Sequence, residues 1–419
     1  MSRISNFKNT FEMKLLELKE IRDEFLPYFE LPEKLDNHDV LISIKNSLYR
    51  HIQSDSFKKI KFPVTNVGIL PQDWYGIKLN YFYARQSIGP LNPLKVIFAI
   101  DGAESENAST YFTTCCQSAN WSVLYTIWKS YALNMFENPN EKFFETAMIL
   151  RHFNLEQNGE IDNVVYVDSS SETYEFPTKI LEEQICIVDT TCTHKGNKEL
   201  NDFIIKSLKM NWKVILTRSH LKLDSLGAEY CQLGSITVLN EDLFPEPKND
   251  PNFNYMEPQT FKSALKNAIS SHSYFARIDM IYPFLGSSKI NTLINKKEKR
   301  LYSNYQAIKN ELVNKNSDLI FHKNHIFITF ETEYVSSELT DFIISKNKFL
   351  KNMREKIGFP IYYSDSFGFD FCSVTAYSVK RKEGVGGLLC RLSIGDLDEK
   401  DLNESMSLLP MIIKKLRFK

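Results

Sequence analysis

Long apolar runs are missing from this 419-residue chain, and none approaches the roughly 20 residues that a membrane-spanning helix needs. The first residues, MSRISNFKNTFEMKLLELKE, lack the apolar stretch of a secretory signal. Cysteine is sparse, with seven residues and no pair at CxxC spacing. We therefore expect a cytoplasmic protein with buried free thiols and no membrane partner.

An excess of either charge is also missing, since 51 Lys and Arg residues face 52 Asp and Glu residues for a net charge of −1. No overall field would draw the chain to nucleic acid, so we expect no nucleic-acid partner. The sequence has no GxGxxG, no Walker A motif and no GxSxG elbow, which argues against nucleotide binding and serine hydrolysis. The pair of histidines in HKNH (322–325) has no third ligand nearby, so we predict no metal site.

The length and texture of the chain indicate more than one domain. Residues 1–60 have apolar residues at helical spacing and predict a helical arm. Residues 61–257 contain four β-branched runs separated by helical segments, which is typical of a mainly parallel α/β sheet. Residues 258–419 begin with linking helices and continue as an α+β C-terminal domain. The strand-like runs of the middle part are NVVYVD (163–168), QICIVD (184–189), WKVILT (212–217) and GSITVL (234–239).

Two of these runs are followed by chemistry-bearing side chains. ICIVD ends on Asp189, and WKVILT leads into RSHLK, which ends on Lys222, 33 residues later. The carboxyl ends of parallel strands are where open α/β sheets bind ligands. An acid and a lysine there suit pyridoxal phosphate: the lysine forms a Schiff base and the acid pairs with the ring nitrogen. Each residue alone is better explained as a surface lysine or a capping aspartate, and the pairing favours the cofactor.

A phosphate group would also need donors. The segment TTCCQSANW predicts a helix that begins near Trp121, preceded by small polar residues that would offer N–H groups and a hydroxyl. Those residues are Gln117, Ser118, Ala119 and Asn120. Ser219, three residues before the lysine, would contact the same phosphate. An ordinary helix cap explains the segment equally well.

These segments together resemble the fold-type I pyridoxal-phosphate enzymes, most of all the cysteine/methionine-metabolism group of cystathionine synthases and lyases and methionine γ-lyase. YFYARQSIGPLNP is similar to the segment that binds a neighbouring subunit's phosphate, QSANW to the phosphate loop, and FFETAMILRHF to the ring-stacking segment. IVDTTCT and SHLK resemble the strand end and the Schiff-base motif. DSFGFD and LLCRLSIGDLDEKDL resemble the segments that hold the substrate carboxylate. The residues that this resemblance implies for the cofactor and substrate are Tyr83, Arg85, Ser118, Ala119, Asn120, Phe144, Asp189, Thr191, Ser219, Lys222, Ser366 and Arg391.

The resemblance implies an enzyme that acts on a free α-amino acid through an external aldimine, with Lys222 taking the Cα proton. It implies β/γ-elimination or replacement of a side-chain group, in a homodimer or homotetramer with shared active sites. Phe144 stands where the family has a proton-transferring tyrosine, and Ala119 where it has glycine. These departures, and the segment DSLGAEY after Lys222, leave an aminotransferase open. A catalytically silent protein that kept the fold is the third alternative.

Overall fold

A computed structural model gives the architecture of most of the chain. It describes residues 7–59, 70–74, 77–81, 89–90, 93–100, 107–131, 135–136, 144–153, 164–171, 174–193, 196–227, 233–245, 260–272, 287–313, 318–322, 325–364, 369–380 and 386–419. These residues form two compact units. We call residues 50–225 and 229–291 the parallel-sheet unit, and residues 1–49, 226–228 and 292–419 the antiparallel-sheet unit.

The parallel-sheet unit contains a six-stranded sheet in the order β4-β9-β8-β7-β6-β5. Five strands run parallel, and β9 runs antiparallel to both of its neighbours. The three central parallel strands are almost fully buried, as expected of strands that are covered on both faces. The strands are β4 (Ala108–Thr113), β5 (Met135–Phe136), β6 (Val164–Asp168), β7 (Ile185–Asp189), β8 (Val214–Ser219) and β9 (Gly234–Leu239). A separate small antiparallel sheet comprises β1 (Leu70–Trp74), β2 (Ile77–Tyr81) and β3 (Gly89–Pro90).

Helices accompany this sheet, and three of them, α4 (Cys116–Tyr131), α5 (Phe144–His152) and α7 (Phe261–His272), contribute to one buried apolar cluster. Helix α6 (Lys198–Lys209) is amphipathic, and the Asn197 side chain caps it by accepting a hydrogen bond of 3.0 Å from Leu200 N–H. Val123, Leu124 and Ile127 pack with sheet residues and with Leu265 and Ile269 in a single buried cluster. The helices are α3 (Pro93–Phe98), α4 (Cys116–Tyr131), α5 (Phe144–His152), α6 (Lys198–Lys209) and α7 (Phe261–His272).

The antiparallel-sheet unit has a five-stranded sheet in the order β10-β11-β14-β13-β12, in which only the β12–β13 pair is parallel. Its strands are β10 (Ile320–Phe321), β11 (Phe327–Val335), β12 (Ile361–Tyr363), β13 (Cys372–Lys380) and β14 (Gly386–Ser393). Its helices are α1 (Lys8–Phe25), α8 (Ser288–Leu312), α9 (Leu339–Asn352), α10 (Glu399–Ser405) and α11 (Leu409–Arg417), with the start of α2 (His38–Lys59).

The predicted α/β fold class, a mainly parallel sheet followed by an α+β C-terminal part, is confirmed. The four strand-like runs of the sequence become β6, β7, β8 and β9, and the helical N-terminal stretch becomes α1 and α2. The domain limits drawn from the sequence (1–60, 61–257 and 258–419) stay predictions. Across the part of the chain described above, no helix is long and apolar enough to cross a membrane.

Two local interpretations are wrong. The polar stretch DGAESENAST (101–110) would be interpreted as a loop from its sequence, but its last three residues belong to β4, because Ala108–Thr113 pairs along its whole length with β9. Helix α4 begins at Cys116 and not near Trp121, so the presumed capping residues already form its first turn.

Candidate functional site

The carboxyl ends of three parallel strands place acidic and hydroxyl side chains at one edge of the sheet. Asp168 at the end of β6 is the register partner of Asp189 at the end of β7, and Asp189 is paired with Thr217 on β8. Both aspartates are buried, with exposed fractions of 1% and 6%. Asp168 Oδ1 accepts hydrogen bonds from both the N–H and the hydroxyl of Ser170, two residues later in the same turn. Asp189, by contrast with the bonds of Asp168 to Ser170, makes hydrogen bonds that reach helix α4.

Three donors from two elements surround the Asp189 carboxylate. Its Oδ1 accepts from Thr191 N–H at 2.9 Å, and its Oδ2 accepts from Asn120 Nδ2 at 3.1 Å and from Cys116 Sγ at 3.6 Å. Burial, assisted by the nearby Asp189 charge, raises the pKa of the Cys116 thiol well above its ordinary value, so the thiol stays a donor. The first turn of α4 thus fixes the acid that the sequence singled out.

A close backbone approach at Gly234 holds the start of α4 in this place. A Cβ atom on Gly234 would lie 2.3 Å from the Cys115 carbonyl oxygen and 2.7 Å from Cys116 N. Only glycine lets β9 pack this tightly against the residues that lead into the helix. In the same turn, Ala119 N–H donates to Cys115 O, and the Ser118 hydroxyl lies 3.1 Å from the Thr114 hydroxyl. Ala119 itself is buried in the apolar core.

The turn after β7 also contacts the end of β8. Thr191 Oγ1 accepts a hydrogen bond of 3.0 Å from Ser219 N–H and lies 3.4 Å from Cys116 Sγ. The predicted residues Asn120, Asp189, Thr191 and Ser219 are therefore brought together in one network.

A buried guanidinium connects the two turns that carry Asp189 and Lys222. Arg218 Nη1 donates to the carbonyl oxygens of Thr190 and Thr193, each at 2.7 Å. Its Nε and Nη2 make a two-pronged pair with Asp224 at 2.7 and 2.8 Å. Burial favours a higher pKa for Asp224, but the guanidinium outweighs burial and holds this pKa well below its ordinary value. We call Arg218 and Asp224 the turn clamp.

His220 extends the turn clamp to β9. Its Nδ1 lies 2.7 Å from Asp224 Oδ2, and its Nε2 lies 2.9 Å from the Ser235 hydroxyl. Exposed fractions of 1% for His220 and 0% for Ser235 leave no access for a substrate. This arrangement has the order of a hydrolytic triad, but its burial makes it a structural support.

Lys222 lies between the two residues of the turn clamp in the sequence, directly before a short 3-10 turn that contains Asp224. Its side chain is partly buried, and its carbonyl oxygen accepts a hydrogen bond of 3.1 Å from the Ser225 hydroxyl in the turn Leu223–Ser225. The chain then takes a left-handed conformation at Leu226, with φ of 54°. Lys222 is therefore carried by a turn whose two sides are hydrogen-bonded.

Of the remaining predicted residues, the structure describes the side chain of Arg391 alone. Tyr83, Arg85 and Ser366 lie outside the described residues, as does the side chain of Phe144, which is the first residue of α5. Arg391 belongs to the antiparallel-sheet unit, where β14 places it between Thr329 and Thr375. It is 7% exposed, and its guanidinium carbon lies 5.6 Å from the centroid of the Phe327 ring.

Cys116, Arg218 and Asp224 are contributors that the sequence did not reveal. The cysteine reads as a small buried residue, and a charged Arg–Asp pair six residues apart after a strand reads as surface. The one available signal was the arginine itself, which directly follows the apolar run WKVILT.

The parallel-sheet unit fits pyridoxal phosphate on its own chemistry. An acid held by three donors at the end of one strand suits a protonated ring nitrogen, and a lysine follows the next strand. Asn120 Oδ1 is a buried acceptor without a hydrogen-bond partner among the described residues, so a donor group could still be added beside Asp189. The first turn of α4 supplies the helix terminus that a phosphate needs.

No family model matches the chain, and no curated protein matches it. Several solved structures do match the chain in fold. An 8-amino-7-oxononanoate synthase from Francisella tularensis is 12% identical with a TM-score of 0.49 over 90% of this chain and 95% of that one. An aromatic amino acid aminotransferase from Burkholderia cenocepacia J2315 is 10% identical, with a TM-score of 0.47 over 87% of each chain.

The methionine gamma lyase CalE6 from Micromonospora echinospora is 13% identical, with a TM-score of 0.43 over 80% of this chain and 88% of that one. The three names cover a synthase, an aminotransferase and a lyase. At these identities, the activity of this chain has to be argued from its own residues.

Proposed function

We propose that this protein is a pyridoxal-phosphate-dependent enzyme that acts on a free α-amino acid. The observation that carries the proposal is the pair of neighbouring parallel strands that lead to Asp189 and Lys222, joined by the turn clamp. Bound pyridoxal phosphate supplies an electron sink that stabilises negative charge at the substrate Cα. The residues of this chain bind, orient and move the proton.

Asp189 would hold the proton on the ring nitrogen, because its three donors aim its oxygens and leave the carboxylate as acceptor. Lys222 would hold the aldehyde carbon through its amine, and the same amine would take the proton from the substrate Cα once it is released. Ser219, Ser118 and the first turn of α4 would bind the phosphate. Thr191 would hold the turn after β7 in place through its hydrogen bonds with Asp189 and Ser219.

Arg391 is proposed to bind the substrate carboxylate together with Ser366. A guanidinium binds a carboxylate with two parallel hydrogen bonds, which a lysine cannot do. The substitution Arg391→Lys would therefore raise KM for the amino acid more than it lowers kcat.

Two outcomes of Cα deprotonation are compatible with these residues. The segments that resemble the cysteine/methionine-metabolism group favour β/γ-elimination or replacement of a side-chain group. Phe144 favours transamination as the second candidate, because a phenyl ring can stack but cannot donate or accept a proton. Lys222 could deliver the proton in either case.

The first test is an absorbance spectrum of the purified protein with added pyridoxal phosphate, followed by borohydride reduction and peptide mass spectrometry. We expect a band near roughly 420 nm and a reduced adduct on Lys222. Lys222→Ala should lose both, and Lys179→Ala, which removes an exposed lysine of the same unit, should lose neither. A wild-type protein that takes up no cofactor would overturn the proposal in favour of a silent scaffold.

The reaction is then sorted by adding amino acids one at a time. Release of a keto acid together with ammonia indicates elimination. Transfer of the amino group to an added keto acid, without ammonia, indicates an aminotransferase.

We further propose a homodimer or homotetramer in which Tyr83 and Arg85 of one subunit bind the cofactor phosphate in another. The support is the likeness of YFYARQSIGPLNP to a segment that does so in the family that the sequence resembles. A shared site of this kind requires at least two-fold symmetry.

A further inference from the structure

Seven charged side chains meet in the interior of the antiparallel-sheet unit. We call them the ionic cluster: Lys14, Glu17, Lys45, Lys297, Arg300, Asp370 and Asp396. Six of the seven side chains are at most 4% exposed, and only Arg300 reaches solvent, at 30%. They come from α1, α2, α8 and two loops that are far apart in the chain.

Asp370 lies at the centre of the ionic cluster. It contacts Lys45 at 2.7 Å, Lys14 at 3.1 Å, and the ammonium of Lys297. Asp396 accepts from Lys14 and makes a two-pronged pair with Arg300 at 2.6 and 2.9 Å. Every cation of the cluster therefore touches at least one of these two carboxylates.

Such a cluster is a poor way to gain stability, because taking charges out of water costs free energy that the ion pairs only partly return. Buried ion pairs contribute more clearly to structural specificity. Each charge must meet its partner in one geometry, and this fixes the positions of the segments that carry them. The function of the cluster is therefore best inferred from the backbone segments that it holds in place.

The first fixed position is the turn that follows Lys222. Lys45 Nζ donates to the Leu226 carbonyl oxygen at 3.1 Å, four residues after Lys222 in the chain. Leu226 and Gly227 both have positive φ, of 54° and 76°. A Cβ on Gly227 would lie 2.7 Å from Phe369 Cβ, so the turn is held closely.

The second fixed position is the segment that follows Arg391. Asp396, five residues later, donates its N–H to Phe369 O at 2.9 Å. Asn304 Nδ2 donates to the carbonyl oxygens on either side, Gly395 and Leu397.

Helix α1 binds the same segment from its own first turns. Thr10 N–H donates to Asp401 Oδ2 at 2.6 Å, and Thr10 Oγ1 accepts from Asp398 N–H at 3.0 Å. Asn9 adds a bond of 2.9 Å to Asp401. Contacts from residues 9–45 thus reach both segments.

We propose that the ionic cluster is a positioning device, through which helices α1 and α2 set the turn after Lys222 and the segment after Arg391. Residues 8–49 then help to position these two segments and are more than a helical arm. The proposal rests on the proposed function for the roles of Lys222 and Arg391. The positioning residues touch neither cofactor nor substrate.

The charge count selects the variant that tests this. The cluster holds four cations and three carboxylates, so Lys45→Met leaves three of each and an unbranched side chain of similar length. Asp370→Asn would instead leave three ammonium groups without their shared partner and endanger the fold. Lys296→Met is the matched control, because Lys296 is 54% exposed and outside the cluster.

Hydrogen exchange followed by mass spectrometry is the readout, together with pyridoxal phosphate affinity. Lys45→Met should exchange about tenfold faster in the peptide covering residues 222–227, with the transition temperature of the protein shifted by only a few degrees. Cofactor affinity should fall about tenfold in parallel, and borohydride should label Lys222 less completely. Lys296→Met should match the wild type in all three.

Arg300→Met keeps the test decisive if Lys45→Met fails to fold. It also leaves three cations and three carboxylates in the cluster, and it removes the two-pronged partner of Asp396, so exchange should rise only in residues 396–401. Unchanged exchange in these segments in a folded variant would overturn the positioning role. Faster exchange in a protein that binds no cofactor would support the positioning role and overturn only the proposed function.

Discussion

The imidazole of His38, at the start of α2, lies 4.1 Å from the ring centroids of both Tyr362 and Phe371. Burial lowers the pKa of His38 from 6.5 to about 4, and the nearby Asp370 and Asp39 charges offset this only in part. The unfolded chain therefore binds a proton at this residue between pH 6.5 and 4, whereas the folded chain does not. Stability from this group is present above pH 6.5 and is lost as the pH falls toward 4.

We expect this residue to contribute a loss of about 3 kcal/mol across that window, at 1.36 kcal/mol per pKa unit. Urea unfolding at pH 7, 5.5 and 4 should show a smaller loss for His38→Phe, which keeps an aromatic contact and cannot titrate. The control is His51→Phe, which makes the same substitution at an exposed histidine of the same helix. Equal slopes for wild type and His38→Phe would contradict the burial effect.

Gly234 gives a steric prediction at the edge of the candidate site. Gly234→Ala should lower the free energy of unfolding by about 1–3 kcal/mol, because the new Cβ meets the backbone of Cys115 at 2.3 Å and cannot rotate away. Cofactor affinity should fall as well, since the first turn of α4 must move.

Gly358→Ala is the comparison, with a positive φ of 84° but no atom within 4 Å of the new Cβ. It should show only the conformational cost of about 1 kcal/mol and bind cofactor normally. Chemical denaturation and a cofactor titration separate the two. Equal effects at both positions would mean that the contact with Cys115 has no special role.

At the scale of elements, the turn clamp joins the turn after β7 to the turn after β8. Removing one partner of this buried pair leaves an uncompensated charge, so Arg218→Met should cost about 3–5 kcal/mol. The double variant Arg218→Met, Asp224→Asn should lose less than the sum of the two single variants. A double-mutant cycle by chemical denaturation measures that coupling, and strict additivity would show that the two turns are held independently.

Sequence patterns predicted the elements that organise themselves locally. Helix α6 follows from its apolar period and its Asn197 cap, and β9 coincides with the run GSITVL. Strand β4 was not predicted, because its sequence, ASTYFT, is polar at the start. It forms a strand through pairing with β9, where the Thr110 and Thr237 hydroxyls lie 2.8 Å apart. Non-local pairing of this kind leaves no local period to detect.

In the candidate site, too, local sequence patterns locate some residues, and only folding brings the others together. The positions of Asp189 and Lys222 beside the ends of neighbouring strands were predictable, because each residue ends or follows an apolar run and parallel strands end at a common edge. The ionic cluster was not, since its members span residues 14 to 396 and each lies in a helix or loop that reads as solvated. Burial of a charge depends on partners that only the folded chain brings together.

At the scale of the whole molecule, the proposed shared site predicts complementation between two inactive chains. Arg85→Ala and Lys222→Ala should each lose most activity as homodimers. Mixed dimers would carry one site with both substitutions and one site with neither, so random mixing should restore about a quarter of the wild-type sites. Co-expression with two affinity tags, followed by borohydride labelling of Lys222, counts the restored sites. Heterodimers that form and regain nothing would show that Arg85 serves no neighbouring site.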